Sequence, residues 1–184
     1  MLARHEQGDE TLELVNADLR GMDLSGRSLE HIVLYRSQLD GMSLRDADLF
    51  RSNLSGSSLV SADLRGAQLG KAELAGAKLE GARLEGAIAH RADFSGADLR
   101  LADLTEADIG GAILSGADLR GALLRGTGLD RVLFSRTRVH GTDLRGATGL
   151  DGARIVSIDV GETDPVRLEG DAARAWLREA ALGT

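Results

Sequence analysis

Every fifth residue from Leu14 to Leu144 is apolar, 27 positions in an unbroken count, and 22 of them are leucine. The other five are Ala89, Phe94, Ile109, Phe134 and Val139. On an α-helix a five-residue step advances the side chain by about 140° net, so these leucines would scatter around the cylinder. On a straight strand the odd step would send successive leucines to opposite faces. The chain therefore bends once in each repeat. Taking the leucine as the centre, the residue two before it points to the same side and the residue just before it to the other. From Ala62 to Ala122 the former is alanine in 13 successive repeats, while the outward position holds Asp63, Glu73, Asp93, Asp98, Asp103 and Asp118. Two corner residues follow the centre, and the second is often glycine, as at Gly21, Gly56, Gly66 and Gly121. Glycine there suits a turn that needs positive φ. Corners of about 90° close a coil in four repeats, so residues n and n+20 stack at the strand spacing of ~4.8 Å.

The runs Ala62-Asp63-Leu64-Arg65-Gly66, Ala97-Asp98-Leu99-Arg100 and Ala117-Asp118-Leu119-Arg120-Gly121 resemble the tandem motif of pentapeptide-repeat proteins. The resemblance extends over about residues 12 to 160. It implies an all-β solenoid, a right-handed quadrilateral β-helix of about seven coils; the handedness comes from the resemblance and not from the spacing.

Three segments are expected: an amino-terminal arm at 1–11, the repeat rod at 12–160, and a carboxy-terminal cap or dimerisation segment at 161–184. Arg27, Met22, Ile32 and Met42 occupy the slot that alanine fills later, which predicts a wider or partly open first coil. After Leu144 the spacing slips by one residue, with Leu150, Ile155 and Val160 as the next centres, so a bulge or longer corner is expected near residues 147–149. Beyond Pro165, Gly170-Asp171 is expected to cap a helix from Ala172 to Leu182, with Gly183 as its stop. Ala173, Trp176, Leu177, Ala180 and Ala181 share one face of that helix. That face is a candidate lid over the last coil. It is equally a candidate homodimer contact through the carboxy-terminal ends, as the resemblance to the mycobacterial type within the family implies.

Charge alters the functional reading more than composition does. The formal net charge is −7, but residues 14–146 hold 17 basic against 18 acidic groups, so the acidity lies in the two ends. A nearly neutral rod opposes direct nucleic-acid binding, whose driving force is counterion release at a concentrated basic surface. No apolar run is long enough to span a bilayer and no signal peptide is evident, so a cytoplasmic protein without membrane contact is expected. Cysteine is absent, and His5, His31, His90 and His140 lack metal-ligand spacing. Ser55, Ser95, Ser115 and Ser135 stack as hydroxyls with no acid and histidine converging on them. No enzyme activity and no cofactor are expected.

Stacking every twentieth residue turns the sequence into surface columns. One corner column reads His31, Arg51, Lys71, Arg91, Gly111 and Arg131, with His90 beside it, whereas the column through Gly21, Gly41, Gly81, Gly121 and Gly141 is mostly glycine. The first is a candidate partner-binding edge for an anionic or acidic surface. Glu30, Asp48, Asp108 and Asp130 are placed to neutralise it. Its long side chains predict a turn with negative φ. A second column, Arg45, Arg65, Glu85, Thr105, Arg125 and Arg145 beside Asp23, Asp63, Asp103 and Asp143, reads as a self-compensating solvated face. Val33, Tyr35, Ile113 and Leu133 form a candidate apolar patch, either a contact surface or a seat for the tail, with Ile113 and Leu133 as vertical neighbours.

A rod of this kind acts by shape and surface. The family resemblance implies a protein partner, and for its quinolone-resistance members that partner is DNA gyrase or topoisomerase IV, bound by mimicking a DNA duplex. The alternative is a structural scaffold or regulatory interaction module with another protein partner.

Overall fold

The computed structural model describes residues 11–183, and so the arm expected at residues 1–11 lies outside the described residues except for Thr11. The chain winds into a right-handed quadrilateral β-helix. Parallel bridges join Glu13 to Val33, Asp63 to Arg83, Asp98 to Asp118 and, at the far end, Gly128 to Thr148, each pair twenty residues apart. Each side of the square is too short to be more than a bridge, so cohesion comes from the vertical ladder. Leu64 donates its N–H to the Arg83 carbonyl on the next coil at 2.7 Å, and Asp63 donates to the Met42 carbonyl on the preceding one at 3.0 Å.

The corners are uniform. The third residue of every turn from Asn16 to Gly146 has φ between 54° and 72°. Within the turn, Ala67 N–H returns to the Leu64 carbonyl at 3.1 Å, the hydrogen bond of a four-residue turn with φ > 0 at its third position. The basic edge obeys the same rule: His31, Arg51, Lys71, Arg91 and Arg131 lie at φ of 55° to 61°, correcting the expectation of negative φ there. The reason is the ladder. The Arg91 N–H must reach the Gly110 carbonyl at 2.9 Å, and only the common corner geometry points it there.

The interior is a stack of leucines over leucines and alanines over alanines, almost all fully buried. Each buried leucine contributes about 1.5–3 kcal/mol relative to an exposed one. Where a hydroxyl replaces alanine it finds a backbone acceptor, as with Thr127 on the Leu104 carbonyl and Thr137 on the Leu114 carbonyl, both at 2.8 Å. At the amino-terminal end of the described chain Met22 and Arg27 are exposed and Leu14 is half-buried, so the first coil is the least filled.

The period slips at the other end. Leu133–Phe134 (β1) pairs with Arg154–Ile155 (β3), and Thr137–Arg138 (β2) with Ser157–Asp159 (β4), both in parallel and both twenty-one residues apart. The extra residue sits in the corner between Thr148 and Arg154, where Gly149 has φ of 77° and an added Cβ would lie 2.5 Å from Asp130 N. Past Pro165 the chain reverses into Arg167–Glu169 (β5), which runs antiparallel to β4 and was not legible in the sequence. That pairing holds the backbone extended as far as Glu169, so the helix, Gly170–Leu182 (α1), starts at Gly170. Gly170 and Asp171 are therefore first-turn residues, Glu169 is the N-cap without a side-chain cap bond, and Gly183 ends the helix at φ of 74°.

Helix α1 lies across the last coil. Ala173 and Leu177 are fully buried in the common core, and Trp176, Ala180 and Ala181 pack against it. Arg174 donates to the carbonyls of Leu150 at 3.0 Å and Ala153 at 3.1 Å, Gly146 N–H donates to the Ala181 carbonyl at 2.9 Å, and Arg178 pairs with Asp151. Carbonyls that would open onto solvent at the rod's end thus acquire donors.

The smallest centre, Ala89, and a large one, Phe94, are successive centres of the same coil, and both are buried. Their volumes offset each other in one cross-section. Ala89→Leu alone should cost about 1–3 kcal/mol through overpacking, and combining it with Phe94→Leu should recover at least half of that. Additive losses in denaturant unfolding would show that the two centres do not share space.

Candidate functional site

Most surface arginines are spoken for. In the repeat Asp-Leu-Arg the carboxylate turns back on its own corner: Asp98 Oδ1 accepts the Arg100 N–H at 3.2 Å and the Arg100 Nε at 2.8 Å, while Arg100 Nη2 donates to Asp98 Oδ2 at 2.7 Å. Asp18 with Arg20, Asp63 with Arg65, Asp118 with Arg120 and Asp143 with Arg145 repeat the arrangement. The hydrogen bond from Arg20 lowers the Asp18 carboxyl to about 2. Arg145, helped by Arg125, holds Asp143 well below the usual carboxylate range against the opposing effect of burial. Burial pushes Asp118 up, but the hydrogen bonds from Arg120 outweigh it and leave the carboxyl lowered. These side chains lock corners and face solvent as neutral pairs.

The basic edge differs in two ways. On the other three edges 7 of 21 corners carry a side chain in the left-handed conformation, whereas here 5 of 6 do. A non-glycine residue in that conformation costs roughly 1–2 kcal/mol, and retained strain of this sort concentrates at functional positions. Secondly, His31, Arg51, Lys71 and Arg91 form no ion pair among the described residues. Further along, Arg131 pairs with Asp130 at 2.8 Å and the His90 ring lies 2.6 Å from the Asp108 carboxylate. Glu30 and Asp48 form no ion pair among the described residues; Asp48 instead accepts the Phe50 N–H at 3.0 Å.

Phe50, which the sequence columns did not single out, organises this edge. Its ring meets the His31 ring edge-on at 6.4 Å, and Arg51 Cζ and Lys71 Nζ lie 5.3 and 5.6 Å from its centroid. The column one residue before the edge, Glu30, Phe50, Gly70, His90, Gly110 and Asp130, contains the signal that would have found it, an aromatic ring stacked under a bare glycine. The ring occupies the space over Gly70, where an added Cβ would come within 3.1 Å of Phe50 Cδ2. A groove of about 700 Å³ lies beside the edge, lined by Phe50 and the exposed Ile88, by Lys71, Arg91 and Arg131, and by Glu30, Asp48, Asp108 and Asp130.

The other candidates lie elsewhere. Val33, Tyr35, Ile113 and Leu133 are half-buried on the side of the rod. Ile113 and Leu133 bridge directly, and Val33 bridges Asn53 several coils away. Helix α1 sits on the rod's end and not on this side face. The five helix residues, Ala173, Trp176, Leu177, Ala180 and Ala181, all face the last coil. Among the described residues no cluster of histidine, aspartate and glutamate has the arrangement to hold a metal ion, and no helix is long and apolar enough to cross a membrane.

Eight copies of the pentapeptide-repeat profile match the chain, spanning residues 13–148, and the protein belongs to the pentapeptide-repeat family. No curated protein matches the chain. Among solved structures it is similar to HetL, a pentapeptide-repeat protein involved in heterocyst differentiation regulation in the cyanobacterium Nostoc, at 28% identity over 84% of this chain and 89% of that one, with a TM-score of 0.30. Full-length QnrB1, a plasmid-mediated fluoroquinolone resistance protein, is similar at 18% identity over 94% of this chain and 100% of that one, TM-score 0.48. Rfr23 of the cyanobacterium Cyanothece is similar at 25% identity over 77% and 90%, TM-score 0.33.

Two predictions follow from the corner chemistry. Replacing a strained corner by glycine removes about 1–2 kcal/mol of left-handed strain and returns about 0.4–1 kcal/mol through the freer unfolded chain, so Arg91→Gly should leave the thermal midpoint unchanged or raise it. A clear fall would refute the strain. The carboxylates paired with arginine have folded pKa values below the unfolded value near 4, so their contribution is complete above pH ~4 and lost as pH falls through the lowered values. The melting midpoint should therefore drop between pH ~4 and ~2, less steeply in Asp143→Asn; parallel curves would contradict the pairing.

Proposed function

We propose that the protein is a non-enzymatic protein-binding rod and that the edge formed by His31, Arg51, Lys71, Arg91 and Arg131 is the face a partner engages. The observation that carries this reading is the contrast between edges: glycine fills 14 of 21 corners elsewhere, whereas here 5 of 6 carry side chains in costly conformations, Arg51, Lys71 and Arg91 among them without an ion pair among the described residues, beside a groove with Phe50 and Ile88 in its lining. A merely solvated corner has no need of either feature. The repeat fold supports the reading because it offers long rigid faces on which a partner can dock.

Family membership makes DNA gyrase or topoisomerase IV the first partner to examine. Duplex mimicry itself has less support, since a mimic needs open carboxylates and those of Asp63, Asp98, Asp118 and Asp143 are tied to arginine. The scaffold or regulatory reading uses the same edge with another protein. A homodimer through the carboxy-terminal ends is a second mode of assembly. Ala173 and Leu177 are already covered by the rod, so it would use the exposed Val156, Val166 and Leu182.

A photo-crosslinking residue placed at Arg91, with Gly41 on the glycine edge as control, tests the reading in cells. Discrete protein adducts are expected from position 91, and they should disappear when Arg51 and Lys71 are replaced by glycine. Supercoiling by gyrase and decatenation by topoisomerase IV, each with and without a quinolone, then identify or reject those two partners. No adduct at position 91, or equal adducts from both edges, would overturn the assignment.

A further inference from the structure

The geometry points to an acidic amphipathic α-helix of another protein as the element that docks on this edge, an inference that rests on the binding-rod reading above. His31, Arg51, Lys71 and Arg91 occupy successive coils of one straight column. At ~4.8 Å per coil these four side chains, the Arg51, Lys71 and Arg91 cations and the His31 ring, span about 14 Å. An α-helix brings a side chain back to the same face every turn of about 5.4 Å, so carboxylates at positions i, i+4, i+7 and i+11 span about 16 Å. Flexible lysine and arginine side chains absorb a mismatch of that size. An extended strand repeats on one face every ~6.7 Å, and its fourth carboxylate falls about 6 Å beyond the last cation, more than a whole coil out of step.

The groove supplies the second half of the match. Phe50 and Ile88 line it beside the cations. A helix with an acidic stripe and an adjoining apolar stripe would place the first on the edge and the second in the groove, the pattern of helix-in-groove recognition. This chain's own helix α1 does not qualify, because its two acidic residues, Asp171 and Glu179, are balanced by Arg174 and Arg178 and its apolar face is already buried on the rod. Glu30, Asp48, Asp108 and Asp130 line the groove, so the helix's carboxylates have to stay on the row of cations and only its apolar stripe can face the groove. A nucleic acid fits less well: the cations form a single row, whereas counterion release needs a broad basic surface, and the chain's net charge is −7.

Fluorescence anisotropy at low salt tests the inference with a synthetic helical peptide carrying glutamates at i, i+4, i+7 and i+11 and leucines on the adjoining stripe. The control peptide has the same composition with the glutamates at alternate positions and its helix broken by design. The helical peptide should bind at least about tenfold more tightly than the control, and binding should fall about tenfold or more in the triple variant Arg51→Gly, Lys71→Gly, Arg91→Gly. Because these corners accept glycine, the triple variant should keep its circular dichroism and melting midpoint. The charge-conserving variant Arg51→Lys, Arg91→Lys should bind like the parent. Equal binding of the two peptides, unchanged binding by the triple variant, or preference for a DNA duplex or for anionic phosphatidylserine vesicles would overturn the inference. If the peptides fail while Arg91 still crosslinks a partner in cells, the helix inference falls and the binding-rod reading stands; if both fail, the reading falls with it.

Discussion

Everything in this molecule depends on one backbone state recurring at fixed intervals. At the third residue of each turn the chain enters the left-handed region, swings by about a right angle, and points that residue's own N–H at the coil above, while the following N–H closes the turn. Because the interval never varies between Leu14 and Leu144, the vertical ladder closes with a twenty-residue step and the side chains fall into columns. The leucine stack could not form without that register, and the register would have little to hold it without the leucine stack. Each coil contacts only its neighbours, so stability accumulates one interface at a time and the ends need separate solutions. At the carboxy-terminal end a glycine-dependent one-residue slip, an antiparallel strand and a helix provide one.

The same register divides the surface into parts with different jobs. On the flat sides, aspartate before the centre and arginine after it make a closed unit with the backbone, which fixes the corner and leaves little net charge. That chemistry explains why Asp-Leu-Arg recurs: it is local, and each copy works regardless of its neighbours. The basic edge follows another logic. Its cations gain nothing from the corner they occupy, since glycine would serve the turn better, and among the described residues Arg51, Lys71 and Arg91 have no carboxylate of their own. On the reading proposed above their value lies outside the chain, which is why that reading rests on this edge and not on the more numerous paired charges.

Much of this was legible in the sequence because a single period dictates it. The centres, the alanine slot, the stacked columns and the slip after Leu144 all come from counting, and the terminal helix from its stop residue and its one apolar face. What escaped the count depended on geometry that spacing does not encode. Strand β5 is three residues long and pairs antiparallel, outside the repeat, so nothing in its own sequence marks it. The helix start moved to Gly170 because β5 holds the preceding residue extended. Long side chains on the basic edge argued for negative φ, but the ladder's demand on the corner N–H outranks the preference of an individual residue. Phe50 was missed because it stands one residue off the charged column and becomes prominent only when the bare glycine above it is seen.

The most direct test of the central claim is a set of spin-label distances from position 38 to positions 98, 118 and 138, which share one outward column. Each further coil should lengthen the separation by the same ~4.8 Å, giving about 14, 19 and 24 Å along a straight line. Distances that fail to rise in equal steps, or that stay constant between labels twenty residues apart, would contradict the stacked register and with it the continuous basic edge.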